Sequence, residues 1–248
     1  MTILDQVARS ARNGGSNYFR PSSASECFAL RLAQKLGDQA AARHYVELLK
    51  QYSEGRLIAA FRRASTLPQR DRVRIFHSAL RELGAGRNGY NGGTNRSRLT
   101  GIRIERRSVA VVVMNGDMPE HVQVRQLSST KDKAVGSALA FVNQVIELFP
   151  FPSAAIEPVF GHEDEQRSVL TQSVIQMLRE HPISLWEVRK QELFEGFGHP
   201  PLKTRKELRA VIASIWPILN GGFGGAFVRD AAALASYCQT ERLFINSS

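Results

Sequence analysis

The chain has 248 residues, 43% of them hydrophobic and 23% charged, with two cysteines and a formal net charge of +10. That length accommodates one large domain or two small ones around a buried core, in the composition range of ordinary soluble proteins. Its longest apolar runs, such as residues 109–114, are far too short to span a bilayer. Cys27 and Cys238 lack Cys or His neighbours at ligand spacing, which excludes a disulfide framework and a zinc module. No apolar segment follows the opening M-T-I-L-D, so the expected location is cytoplasmic, with no membrane partner.

The charge is unevenly distributed. Residues 1–98 carry 17 Lys and Arg against 7 Asp and Glu, whereas residues 99–248 carry 16 of each, so the whole surplus lies in the first part. Fifteen of its 17 basic residues are Arg. The guanidinium group grips phosphate bidentately and stacks on bases, so a polyanionic partner is expected, with DNA favoured. A basic helical domain with an ordinary solvated surface is the plainer reading of the same residues.

Taken in order, residues 1–20 are polar, and Gly14, Gly15 and Ser16 interrupt any helix starting near Leu4. Ser22 to Ser25 offer N-cap candidates for a helix whose apolar face is Phe28, Leu30, Leu32 and Leu36. Asp38 is placed to cap a second helix, about residues 40–52, with Tyr45, Leu48 and Leu49 inward. A third follows Ser53 and Glu54, setting Leu57, Ala60 and Phe61 against Arg56, Arg62 and Arg63. After Pro68 a fourth, about residues 71–83, turns Val73, Ile75, Phe76 and Leu80 inward and Arg70, Arg72, Arg74 and Arg81 outward, ending at Gly84 and Gly86. Residues 1–86 are thus expected to form a basic helical domain. Residues 87–98, R-N-G-Y-N-G-G-T-N-R-S-R, read as a flexible linker with Arg96, Arg98 and Tyr90 available to nucleic acid.

Beyond the linker the hydrophobic period changes from helix to strand. L-T-G-I-R-I-E-R-R alternates, S-V-A-V-V-V-M is a β-branched run suited to a central strand, N-G-D signals a hairpin, and H-V-Q-V-R-Q-L alternates again. A helix over about residues 132–148 stops at Pro150 and Pro152. Then come a short buried strand ending at Glu157, a helix over about residues 163–179, and the strand S-L-W-E-V-R. A Gly/Pro loop, F-E-G-F-G-H-P-P-L-K, leads to a helix over residues 204–216, the run N-G-G-F-G-G, and an Ala-rich helix with Asp230 in its first turn. Trp186 and Trp216 read as core, the glycine run as a loop or a phosphate cradle, and His162 and His199 as loop residues. Taken alone, Glu157 is an ordinary strand-end residue, and Asp230 an acid placed favourably near a helix start.

The order β-β-β-α-β-α-β-α-α after a helical bundle, with A-I-E-P-V-F around Glu157, F-G-x-x-x-x-K-T-R-K-E-L from Phe197 to Leu208, and R-D-A-A-A-L-A from Arg229 to Ala235, resembles the ribonuclease H-like superfamily. Within it, the likeness is to RuvC-type Holliday-junction resolvases, over about residues 100–238. The resemblance implies an α/β fold with a mixed sheet over residues 99–248. It also implies acids from the first strand, the fourth strand and the last helix that hold two divalent ions, Mg²⁺ or Mn²⁺, at the scissile phosphate. Glu157 then takes the place of the fourth-strand acid and Asp230 that of the last-helix acid. Lys203 and Arg205 lie in the basic segment near the phosphate.

The first strand departs from the pattern. Where I-D-x-G is expected stands Ile102-Arg103-Ile104-Glu105, so Arg103 occupies the acidic position and Glu105, on the same strand face, is the substitute acid. The second acid of the last helix is also missing, since Val228 and Ala233 are apolar. Two clear carboxylates make a poor two-metal site. The implied function is therefore binding of branched or single-stranded DNA, or of a ribonucleoprotein, with metal-dependent nuclease activity reduced or lost. An active Mg²⁺-dependent, structure-selective endonuclease using Glu157, Asp230 and Glu105 is the alternative. A protein-interaction subunit of a defence or mobile-element complex is a second. A homodimer is expected from the two-fold symmetry of a junction.

Overall fold

A computed structural model describes residues 18–84, 98–159, 164–220 and 225–245. These fall into two compact units, one drawn from Met1–Asn95, Glu195–Leu202 and Thr240–Ser248, the other from Arg96–Phe194 and Lys203–Gln239. Most of the linker segment, with Tyr90 and Arg96, lies outside the described residues, as do His162 and residues 221–224 of the glycine run. No described helix is long and apolar enough to cross a membrane.

The first unit is helical: α1 (Ala24–Leu36), α2 (Ala42–Gln51), α3 (Glu54–Ser65) and α4 (Gln69–Leu83), with a 3₁₀ turn at Gln39–Ala41. The N-cap of α1 is Ser23, whose hydroxyl accepts from Glu26 N at 3.2 Å. Its C-terminus closes on Gly37 in the left-handed region at φ 80°, a conformation that costs glycine little. Asp38 caps the 3₁₀ turn through its backbone position only, because its carboxylate accepts the Tyr45 hydroxyl at 3.1 Å. The apolar face expected of each helix is the buried one, with Phe28, Leu32, Tyr45, Leu57, Phe61, Phe76 and Leu80 in a common core. Phe244 completes that core, stacked on Phe28 at 5.6 Å and edge-on to Phe61 at 5.1 Å.

The second unit is built on five strands: β1 (Leu99–Glu105), β2 (Ser108–Asn115), β3 (Met118–Gln126), β4 (Ser153–Ile156) and β5 (Ser184–Glu187). Their spatial order is β3-β2-β1-β4-β5, antiparallel through the β1–β2–β3 meander and parallel from β1 to β4 and β5. Between them lie α5 (Lys131–Leu148) and α6 (Glu165–Glu180), then α7 (Lys190–Gly196), α8 (Arg205–Ile215) and α9 (Gly225–Ile245). The β-branched run Val109–Val113 is fully buried in β2, as a central strand covered on both faces requires.

The sheet's two faces are sorted by the period-2 alternation of the strands. Ile102, Ile104, Val109, Val111, Val113 and Ile156 pack against Phe141 and Val145 of α5 and Val174 and Leu178 of α6. On the opposite face β1 presents Gly101, Arg103 and Glu105. There α9 comes close enough that a Cβ on Gly101 would stand 1.9 Å from the carbonyl oxygen of Ala231. Only glycine fits, and the run Ala231–Ala235 is completely buried for the same reason.

Three details differ from the sequence expectation. The Gly/Pro segment expected as a loop, residues 194–203, begins inside α7, whose Leu193 and Phe194 pack inward. Trp186 is half-buried on the edge strand β5, whereas Trp216 is buried and donates its indole N–H to Asp117 O at 2.7 Å. Asp230 is the sixth residue of α9, in its second turn, because the helix already includes Gly225, Ala226 and Phe227. The first-turn placement is therefore corrected, and a helix-end charge effect is not what holds this acid.

Candidate functional site

Three acids singled out by the sequence meet within the second unit. Glu105 ends β1, Glu157 directly follows β4, and Asp230 arrives on α9 through its close approach at Gly101. The parallel register sets Ile102 beside Ile156, so the residues just beyond them, Arg103 and Glu157, come out together at the carboxyl ends of adjacent strands.

Between the three acids lies the Arg103 guanidinium. It is 6% exposed and donates to Glu105 Oε1 through Nε at 2.8 Å, with Nη2 in ion-pair contact with the same oxygen at 2.6 Å. Nη1 donates to Glu157 Oε2, and Nε stands 3.9 Å from Asp230 Oδ2. Three further arginines close the cluster. Arg205 Nη2 donates to the same Glu157 oxygen. Arg209 holds Asp230 with two parallel hydrogen bonds of 3.0 and 2.7 Å. Arg167 donates to Ile104 O at 2.9 Å and lies 3.9 Å from Glu105. Four guanidinium groups thus face three carboxylates, and the cluster carries a surplus of positive charge.

The electrostatics follow from that count. Arg209 is raised above the ordinary arginine range, chiefly by its hydrogen bonds to Asp230 and further by that group's charge. Arg167 is lowered, first by burial and then by the neighbouring charge of Arg103. Arg205 Nη1 is a buried donor with no acceptor among the described residues, and the guanidinium lies 5.8 Å from the Phe194 ring centre.

The donor set does not suit the divalent ions implied by the resemblance. Mg²⁺ and Mn²⁺ require free carboxylate oxygens, yet one oxygen each of Glu105 and Glu157 and both of Asp230 already accept from guanidinium N–H groups. Arginine keeps its proton at any working pH, so Arg103 is a fixed cation at the centre of the acids. Two unit charges 4 Å apart repel by about 4 kcal/mol at an effective dielectric of about 20, and a divalent ion beside Arg103 meets roughly twice that. No group of three or more His, Cys, Asp or Glu side chains able to hold a metal occurs among the described residues.

The remaining expected residues are dispersed. Arg62, Arg63, Arg70 and Arg74 are exposed on α3 and α4 of the first unit, Arg63 bonding Glu82 at 2.9 Å and both Arg70 and Arg74 lying within 4 Å of Asp71. Arg56 is turned to the Gly84 carbonyl at 2.8 Å, and Arg98 is paired bidentately with Glu120 at 2.6 and 2.7 Å. Lys203 is exposed just before α8. His199 belongs to the first unit, where its backbone pairs with Phe19. Sequence reasoning missed Arg167 and Arg209, because an arginine on an amphipathic helix normally signals only a solvated face.

The strand order, the parallel step from the meander to β4 and β5, and the small-residue helix laid across β1 define a ribonuclease H-like fold preceded by a helical bundle. No protein-family model matches the chain, and no curated protein matches it either. Among solved structures it is similar to RuvC of Thermus thermophilus, at 18% identity over 58% of this chain and 95% of that one, with a TM-score of 0.48. The same protein in complex with a Holliday junction substrate matches at 16% identity over 59% and 95%, with a TM-score of 0.49. The yeast mitochondrial Holliday junction resolvase Ydc2 matches at 11% identity over 79% and 97%, with a TM-score of 0.45.

Proposed function

We propose that the chain binds nucleic acid, with DNA as the favoured form, through a ribonuclease H-like domain whose cleavage site has become a guanidinium–carboxylate cluster. The observation that supports this is Arg103, which sits where a metal-binding acid is expected and is bonded to Glu105 and Glu157. Glu105, Glu157 and Asp230 act in this reading as counter-ions that set the arginines in place. The exposed arginines of α3 and α4, with Arg96, Arg98, Lys203 and Arg205, add backbone contacts whose strength falls with salt. The reading includes a basic helical domain over residues 1–86, a linker over 87–98 and a nucleic-acid-binding domain over 99–248, working as a cytoplasmic homodimer.

The test uses a labelled four-way junction and its component single strands with the purified chain, in chelator and in Mg²⁺ or Mn²⁺. The expected result is salt-sensitive binding that metal does not alter and no cleavage of either substrate. Metal-dependent nicks that vanish in Glu157→Gln would overturn the lost-nuclease reading in favour of an endonuclease. Absence of binding to any nucleic acid at low salt would favour a protein-interaction subunit.

A further inference from the structure

Next to Glu157, the second unit opens into a cleft of ≈ 360 Å³, lined by Glu157, Pro158, Val159, Arg167, Arg189, Lys190 and Gln191. It is near the lower end of the range for ligand pockets, roughly 300–1,000 Å³. Three of its seven lining residues are cationic and one is anionic. That one anion is already committed, since Glu157 accepts from both Arg103 and Arg205.

The two residues that enter the cleft from the β5–α7 connection are differently held. Arg189 has a 70% exposed side chain, lightly tethered to Glu192 at 3.4 Å, while Lys190 places its ammonium 5.3 Å from the Phe194 ring centre. Arg167 is anchored through Nε to the Ile104 carbonyl. Its lowered proton affinity reflects burial close to two other arginines, Arg103 and Arg205. The cleft therefore combines a half-buried, anchored arginine with two adjustable cationic side chains, and an anion is the ligand that relieves the surplus.

From these contacts we infer that the cleft is a metal-independent binding site for a phosphodiester of a single-stranded nucleic-acid backbone. Arg167 forms the floor, and Arg189 and Lys190 are the arms that close on the phosphate. Guanidinium groups bond phosphate oxygens directly, so Arg103 and its neighbours supply the positive field that a bound metal would otherwise provide. Pro158 and Val159 form an apolar edge against which a sugar or base can rest. The inference rests on the nucleic-acid reading above and adds to it a site, a ligand group and independence from divalent ions.

The test measures anisotropy of a labelled single-stranded oligonucleotide with the full chain in EDTA across a salt series, for wild type and for Arg189→Gln/Lys190→Gln. The wild type is expected to bind without metal. The double variant is expected to lower the slope of log K against log salt by about 1.4, at about 0.7 per lost backbone contact. Circular dichroism checks that the variant stays folded, as the exposure of Arg189 predicts. Equal affinity and slope in both proteins would overturn the site while leaving nucleic-acid binding intact. Binding by wild type only on addition of Mg²⁺ would overturn its independence from metal. Inorganic phosphate that binds wild type but not the variant, with oligonucleotide binding unchanged, would assign the cleft to free phosphate and overturn the proposal. A wild type that binds no oligonucleotide would sink the broader reading as well.

Discussion

Arg209 holds Asp230 with Nε to Oδ1 at 3.0 Å and Nη2 to Oδ2 at 2.7 Å, and the carboxylate it holds is completely buried. The pair fastens α8 to α9 at the point where α9 lies across the sheet. Removing the arginine leaves a buried charge whose next cation, Arg103, is 3.9 Å away. Arg209→Ala is therefore expected to destabilise the second unit by about 3 kcal/mol, the lower end for breaking a buried ion pair. Arg209→Ala with Asp230→Asn should recover part of that loss, because the amide carries no charge to leave unpaired. Chemical denaturation of both variants checks this, and equal stability of the single variant and wild type would show that the pair contributes nothing net.

Arg103 makes a sharper case. Arg103→Asp replaces the central cation by a fourth carboxylate beside Glu105, Glu157 and Asp230. Without metal the variant should unfold more readily than wild type, through repulsion among the acids. Mn²⁺ should then raise its melting temperature, by the equivalent of about 2.7 kcal/mol at a hundredfold excess over the dissociation constant, and leave wild type unmoved. Thermal unfolding with and without Mn²⁺ reads both effects. A variant indifferent to Mn²⁺ would mean that Arg205 and Arg209 alone keep the ion out.

Gly101 sets the depth at which α9 lies. A methyl group there meets the Ala231 carbonyl oxygen at 1.9 Å, the Ala231 carbonyl carbon at 2.8 Å and Ala235 N at 2.9 Å. All three are backbone atoms, so no side-chain rotation relieves the clash. Gly101→Ala should cost at least about 3 kcal/mol, the upper end of overpacking, and it should loosen the Arg103 and Asp230 positions together. A melting temperature within a degree of wild type would refute the close approach.

The helical unit carries its own pH dependence. His77 lies 5.3 Å from the His44 ring and 5.3 Å from Phe76, and burial, followed by the charges of His44 and Arg81, pushes it down to about 4. In the unfolded chain the same group binds its proton near 6.5, so between those values the unfolded state holds more protons. Stability contributed by the neutral ring is present above pH 6.5 and is lost as pH falls towards 4. His44, lowered chiefly by burial, acts in the same direction. Asp38, raised chiefly by burial, acts in the opposite one, its contribution being lost as pH rises through its folded value. Denaturation at pH 7 and pH 5 should show the loss, and His77→Phe should flatten most of it.

Most of the fold was legible because the residues that define it obey local rules. The β-branched run at Val109–Val113 admits one reading, and the arginine-bearing helices show their buried faces through Phe28, Leu57 and Phe76. Glu157 was legible as a strand-end acid for the same reason. What the pattern did not reveal depends on tertiary contact. The end of α7 falls in a segment that its Gly and Pro residues mark as loop, and the helix is recognisable only from the burial of Leu193 and Phe194. Asp230 reads as a first-turn residue because the glycine run up to Gly225 looks like a helix breaker, whereas Gly225 is itself helical. Arg167 and Arg209 carry no periodic signal at all. Each is recognisable only once α6 and α8 bring it against an acid from another element.

The cation at the centre of this site is encoded in the chain. A metal site fills and empties with the concentration of free ion around it, and a chelator or a depleted cell empties it. Arg103 is tethered by its own backbone, so its local concentration is set by the fold and does not change while the sheet persists. Glu105 and Glu157 therefore have their counter-charge once β1 and β4 pair, Asp230 gains its own when α8 and α9 dock, and the cluster's charge state is inherited through folding rather than acquired afterwards.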